Sequence, residues 1–145
     1  MDSVNIRMAV AEDFKTIYRF INSLENVFFD ETTQQMLFLE NIANPNIIYL
    51  LAFAEEQPVG LLSLHIQNLL HHNGKVGEIQ EMFVDEKARG SGVGKKLIDA
   101  IKTIAQAENV VQLEVTSSFK RADAHRFYER ENFIFTHKKF TFPLK

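Results

Sequence analysis

Three glycines within five residues, Gly90, Gly92 and Gly94, separate an apolar run ending at Val84 from a helical repeat beginning at Val93. Glycine alone reaches positive φ without a Cβ penalty, so a sharp turn is expected there, with backbone that can approach a ligand closely. The segment Val84 to Leu97 reads as a strand running through a glycine-rich turn into an amphipathic helix. The first amides of such a helix have no intrahelical partner and carry the positive end of the helix dipole behind them. A phosphate or pyrophosphate would sit well against that turn.

Composition limits what can surround this element. The 145 residues fit one domain, 1–145, with one core. The apolar class makes up 46% and charged residues 24%, and the longest apolar run, Ile47 to Ala54, is far shorter than the roughly 20 residues that span a bilayer. A globular domain that is not embedded in a membrane is expected. Met1 to Asn5 lacks a basic segment followed by an apolar one, so a cytoplasmic location is expected. The absence of cysteine excludes disulfides, thiolate–zinc sites and thiol catalysis. A net charge of −3 supplies no general field for nucleic acid, so any bound anion needs a local arrangement.

Periodicity orders the elements. Val4 to Val10 reads as a strand, and Phe14, Ile17, Tyr18, Ile21 and Leu24 form one helical stripe. Thr32 and Gln35 form a capping-box pattern for a second helix that stops before Asn44-Pro45. Ile47 to Ala54 and Val59 to Leu69 read as a hairpin about Glu55-Glu56-Gln57-Pro58. After the turn His71-His72-Asn73-Gly74 comes a strand from Val76 to Val84, then a helix from Gly92 to about Ala107. A strand at Val110 to Thr116, a helix from about Arg121 to Glu131 and a Phe-rich strand from Phe133 to Phe142 complete the chain. The order β-α-α-β-β-β-α-β-α-β predicts a mixed α/β layer structure, with most of the thirteen phenylalanines in the core.

Two phosphate-binding motifs fail on spacing. A P-loop needs glycine where Arg89 stands and a hydroxyl where Lys96 stands; a dinucleotide fingerprint needs glycine at Lys95. Arg89-Gly90-Ser91-Gly92-Val93-Gly94, preceded by Ile79 to Val84 and followed by the helix, instead resembles the acetyl-CoA signature of the GNAT N-acetyltransferase superfamily. The element order resembles that superfamily over nearly the whole chain. The resemblance implies a splayed central sheet, with acetyl-CoA bound by Arg89, Gly90, Ser91, Gly92, Val93, Gly94 and Lys95. Ile79 and Met82 cannot share a face in a regular strand, so one extra residue is needed, and a bulge is expected near Met82-Phe83. By the same resemblance, backbone groups of Met82, Phe83 and Val84 would hold the pantetheine arm.

A primary amine with a pKa of about 10.4 is roughly one part in 2,500 neutral at pH 7, which costs about 4.6 kcal/mol before attack on a thioester. Glu81 and Glu78 are candidates for the base, directly or through water. Tyr128 matches the tyrosine that many GNAT enzymes place beside the sulfur as an acid. Asn132 stands where the superfamily has glycine and also tolerates left-handed geometry.

A closer resemblance, carried by Leu64-His65-Ile66-Gln67, His71-His72, Gly77 to Glu81 and Lys120 to Tyr128, is to the bacterial aminoalkylphosphonate N-acetyltransferases. It implies a small aminophosphonate acceptor held by His71, His72, Lys120 and Arg121 near Glu78 and Glu81, and a divalent metal. None of the five histidines has ligand spacing of its own, so the metal rests on the resemblance alone. Alternatives are acetylation of a protein or peptide amine, and acetyl-CoA sensing without catalysis. The expected partner is a small-molecule amine, with neither nucleic acid nor membrane. Dimers are common in the superfamily, so a homodimer is a further expectation.

Overall fold

Leu50 and Leu51 are adjacent in a strand and therefore point to opposite faces, and both are buried, so this sheet must be covered on both sides. The computed structural model describes residues 3–118 and 121–145. Strands β1 (Val4–Met8), β2 (Ile47–Ala54), β3 (Gln57–Leu69), β4 (Gly74–Val84) and β5 (Val110–Val115) form one sheet in sequence order. The first four pair antiparallel, and β5 runs parallel to β4. A parallel pair needs a crossover, which helix α3 (Val93–Ala107) provides.

Helix α3 presents Val93, Leu97, Ile98 and Ile101 to Leu50, Leu62, Leu64 and Ile79 on one face. On the other face, α1 (Phe14–Glu25) and α2 (Glu31–Ile42) pack Phe14, Ile17, Phe20 and Phe38 on Tyr49, Leu51 and Leu61. The last helix, α4 (Ala122–Arg130), follows β5 and sends Phe127 to the α3 side. At Gly60 a Cβ would stand 3.1 Å from both Leu97 and Val93, so glycine there sets how closely α3 approaches β3.

The mixed fold is as expected, but several details differ. Helix α2 is capped by Asp30 and not Thr32, because the Asp30 carboxylate accepts from both the Thr33 amide (2.9 Å) and hydroxyl (2.8 Å). A charged acceptor at a helix start outcompetes a hydroxyl. Strand β3 starts at Gln57, since Glu55 and Glu56 both adopt positive φ and close the hairpin by themselves. The Phe133 to Phe142 strand is not formed within the chain: residues 133–145 are irregular and have no strand partner among the described residues. A strand needs a neighbour, and alternation alone cannot supply one. The phenylalanines are less buried than expected, in part for that reason. Only Phe14, Phe20 and Phe38 are fully enclosed among those described, while Phe28, Phe29, Phe135, Phe140 and Phe142 are exposed.

Arg7 of β1 holds the entry to α1 through two bonds to Asp13, at 2.8 and 3.0 Å, and Asp13 also accepts from the Val10 amide at 2.8 Å. The Arg7 hydrogen bond, opposed by partial burial and aided by the Val10 amide, keeps the Asp13 carboxyl below its ordinary 3.8. A lowered folded-state pKa stabilises the fold above the ordinary value, and that contribution is lost as pH falls through the folded value. Acid unfolding should therefore lose part of its steepness below pH 3.8 in Asp13→Asn, which should also be less stable than wild type at neutral pH. Leu97 is fully buried, and Leu97→Ala should lower the unfolding free energy by about 2–5 kcal/mol in a denaturant titration.

Candidate active site

The site begins with a register change. Ser63 pairs with Glu81 and Leu64 with Ile79, which leaves Gln80 as the extra residue of β4. This bulge puts both Ile79 and Met82 on the α3-side core, as their spacing requires, but at Gln80 and not at Met82-Phe83. The position is fixed by Ser63, which is fully buried. Its hydroxyl accepts from the Glu81 amide at 3.0 Å and donates to the Glu81 carboxylate, pinning the pair just beyond the bulge.

From the same point β4 and β5 part. Their pairing ends at Ile79 with Val115, whereas β4 continues to Val84. Along Gln80 to Val84, Met82, Phe83 and Val84, which are expected to bind through their backbone, pair with β3 on one side and have no strand on the other among the described residues. A cleft of about 170 Å³ opens in the gap, with Gln80 and Met82 on one wall, Val115 and Thr116 on the other, and Tyr128 and Arg121 reaching in from α4 and its start.

The glycine turn lies beyond the end of β4. Gly90 and Gly92 have φ of 83° and 86°, and a Cβ at either would meet nothing within 4 Å, so the turn is open to ligand. The first α3 hydrogen bond runs from the Lys96 amide to the Gly92 carbonyl at 3.1 Å. The amides of Val93, Gly94 and Lys95 precede it, and Gly92 has no side chain to cap them. Gly94 has a different reason to be glycine, since a Cβ there would stand 3.1 Å from the Phe127 ring. Arg89 bonds back to the Val84 carbonyl at 3.0 Å, and the Ser91 hydroxyl donates to the Ala88 carbonyl. Lys95 lies 3.6 Å from both Asp99 and Glu131.

Tyr128 is held edge-on between Phe127 (5.4 Å) and Phe133 (5.7 Å), and its hydroxyl makes no hydrogen bond among the described residues. Burial pushes its phenol above the ordinary value, with the charge of Arg121 opposing, so at neutral pH it is a proton donor. Asn132 takes φ of 71° and ends α4, with the Phe133 amide bonded to the Tyr128 carbonyl at 2.9 Å. On the α1/α2 side of the sheet, Tyr49 accepts from Asn41 at 2.8 Å; burial raises its phenol first, Asn41 opposes, and the Glu81 charge adds to the rise.

The expected acceptor residues are distributed over separate contacts. Arg121 forms an ion pair with Glu25 of α1 at 2.8 Å, at the cleft. Glu78 accepts from the Thr116 hydroxyl at 3.0 Å. His71 and His72 lie with tilted rings 4.5 Å apart at the end of the β3–β4 hairpin, and His72 lies 3.7 Å from Glu114. Lys120 lies outside the described residues. Among the described residues no group of three or more His, Asp or Glu side chains could hold a metal ion, so the donor set does not fit a divalent metal. Sequence reasoning missed Ser63, Tyr49, Thr116 and Glu25. Only Ser63 left a trace, as the single polar residue inside Val59-Gly60-Leu61-Leu62-Ser63-Leu64.

Residues 9–133 match the profile of the Acetyltransferase (GNAT) family. An aminoalkylphosphonate N-acetyltransferase from Salmonella typhimurium is 36% identical over 141 residues, covering 97% of this chain and 92% of that protein. A solved protein described as a transcriptional regulator from Bacillus halodurans aligns with a TM-score of 0.90 at 22% identity, over 98% of this chain and 100% of that one. An aminoglycoside 6′-N-acetyltransferase from Acinetobacter haemolyticus aligns with a TM-score of 0.84 at 21% identity, over 97% and 98%. No helix among the described residues is long and apolar enough to cross a membrane.

The glycines can be separated by their costs. Gly92→Ala meets no atom but places a Cβ at positive φ, and should cost about 1–2 kcal/mol in denaturant unfolding with an unchanged circular dichroism spectrum. Gly94→Val should instead push Phe127 off α3 and loosen α4, read as faster amide exchange over Ala122 to Arg130.

Proposed function

The chain belongs to the acetyltransferase (GNAT) family and is an acetyl-transferring enzyme, and from that premise we propose that it moves an acetyl group from acetyl-CoA to the primary amine of a small aminoalkylphosphonate within one ternary complex. The observation that carries this reading is the gap between β4 and β5, which opens beside an unblocked glycine turn and contains Tyr128. The diphosphate of the cofactor would take the uncapped amides at the start of α3. The pantetheine arm would lie along Gln80 to Val84 in place of the missing strand, bonding free backbone groups there as a strand would. This puts the thioester near Tyr128.

The amine nitrogen attacks the thioester carbonyl, the carbon–sulfur bond breaks, and the amide product and a thiolate result. Two proton transfers complete the exchange. The amine loses its proton to Glu81, directly or through water, and the thiolate takes the Tyr128 proton. Glu81 suits the first role because Ser63 fixes its carboxylate through the hydroxyl and the strand through the amide. Tyr128 suits the second because burial keeps it protonated and no other acceptor competes for its hydrogen among the described residues.

The acceptor is assigned from the Salmonella relative and from Arg121, whose cationic group lines the cleft. Arg121 is bonded to Glu25, so a phosphonate would exchange one anionic partner for another. A peptide or protein acceptor has no comparable support in the site.

Incubation with acetyl-CoA and a panel of aminophosphonates, polyamines and peptides, followed by thiol release, should give the largest kcat/KM with an aminophosphonate. Absence of acetyl-CoA binding at millimolar concentration in calorimetry would end the proposal, and tight binding without thiol release for any amine would favour a sensor. Glu81→Gln should lower kcat/KM by about 10²–10⁴ with the fold intact, an effect that weakens at high pH, where the amine is already neutral. Tyr128→Phe should lower kcat across the pH range while leaving cofactor binding nearly unchanged; unaltered turnover would remove the acid assignment and spare the cofactor site.

A further inference from the structure

Helix α4 carries Tyr128 but is lightly held. None of its nine residues is fully buried, and a helix this short draws its stability from what it docks against. Its start is fastened to α1 through Arg121 and Glu25, and its middle rests on Phe127, whose ring occupies the space that Gly94 leaves open.

Glu131 fastens the other end. It follows the last residue of α4, and its amide bonds to the carbonyls of Phe127 and Tyr128 at 3.0 and 3.1 Å. Its side chain is only 11% exposed, and the carboxylate lies 3.6 Å from Lys95 in the first turn of α3. Local rules argue against an acid at this place, because a negative charge at a helix C-terminus opposes that helix's own dipole. The gain lies across the interface, from a cation carried by α3, which a carboxylate so far removed from water requires. Lys95 also lies 3.6 Å from Asp99, one turn further along its own helix, but the Asp99 side chain is 54% exposed. Asp99 therefore pairs within α3 in solvent, whereas Glu131 joins two helices.

This joint falls between the two halves of the site. On α3 it uses the residue that completes the run of uncapped amides, and on α4 it lies one turn beyond Tyr128. The Phe133 amide bonds to the Tyr128 carbonyl at 2.9 Å, and the Tyr128 ring stands between Phe127 and Phe133. A shift at Glu131 would move the backbone of Tyr128 and both rings beside it.

We infer that Glu131 is a positioning residue: by pairing with Lys95 it locks the last turn of α4 against the first turn of α3 and so sets the place of the Tyr128 hydroxyl in the cleft. The inference rests on the acid role given to Tyr128. Glu131 touches no reacting atom and acts only through that phenol.

Kinetics with acetyl-CoA and the amine that the panel ranks first test this. Glu131→Gln should lower kcat about three- to tenfold, with no rise in KM for acetyl-CoA and with faster amide exchange over Ala122–Arg130. Glu131→Asp keeps the charge and should lose less. Asp99→Asn, which removes only the solvent-side partner of Lys95, should leave kcat unchanged. In a Tyr128→Phe background Glu131→Gln should cost nothing further, because residues that act as a unit are not additive. An equal fall in both backgrounds overturns the inference, as does a fall in Asp99→Asn as large as that in Glu131→Gln, or a loss that appears as a raised KM for acetyl-CoA. Unaltered kcat in Glu131→Gln, beside a lowered kcat in Tyr128→Phe, removes Glu131 alone. Unaltered kcat in Tyr128→Phe removes the acid reading and this inference with it.

Discussion

The early end of the β4–β5 ladder governs the rest of this molecule. A parallel pair that ran to full length would satisfy the backbone of β4 and leave no place for a cofactor arm. The extra residue at Gln80 coincides with the point where the pairing stops, so one irregularity serves two ends. It returns Met82 to the core under α3, and it turns the next stretch of β4 away from its parallel neighbour. A half-buried open strand edge of this kind, beside a cleft, is where an extended ligand can bond as a neighbouring strand would.

The electrostatics follow the same economy. A chain of net charge −3 cannot hold a diphosphate by its overall field. In the proposed complex, main-chain amides at the start of α3 would do so, and Lys95 of that first turn is already engaged with Asp99 and Glu131. The proposal places a cationic group on the acceptor side instead, where Arg121 joins α1 to the start of α4 through Glu25. A pair placed there both closes the cleft and presents a guanidinium whose partner an incoming anion can replace.

Much of this was legible in the residues, for reasons that can be named. The glycine turn was readable because positive φ at Gly90 and Gly92 is a local demand that few residues meet. The bulge was readable as a count, from the three-residue spacing of Ile79 and Met82, but not as a position, because the position depends on Ser63 across the sheet. The α2 cap is Asp30 and not Thr32 because each residue can cap a helix at its own register, two residues apart, and only geometry decides. Lys139, Phe140, Thr141 and Phe142 showed true strand alternation, yet pairing is a property of two segments, and the sequence shows one at a time. The Ser63–Glu81 and Arg121–Glu25 contacts join residues 18 and 96 positions apart, beyond the reach of any local pattern.

The two halves of the site are also built from different material, and this bears on what likeness to other proteins can mean. The cofactor half consists of turn amides and strand backbone, and it depends on side chains only where glycine is required. Backbone of this kind depends on the fold more than on side chains, and the fold itself is shared at TM-scores of 0.84 and 0.90 with proteins of 21% and 22% identity. The proposed acceptor half consists of side chains, Arg121, Glu25, Thr116 and Glu78 among them. Likeness at 21% and 22% identity therefore shows the fold alone and is silent on the amine.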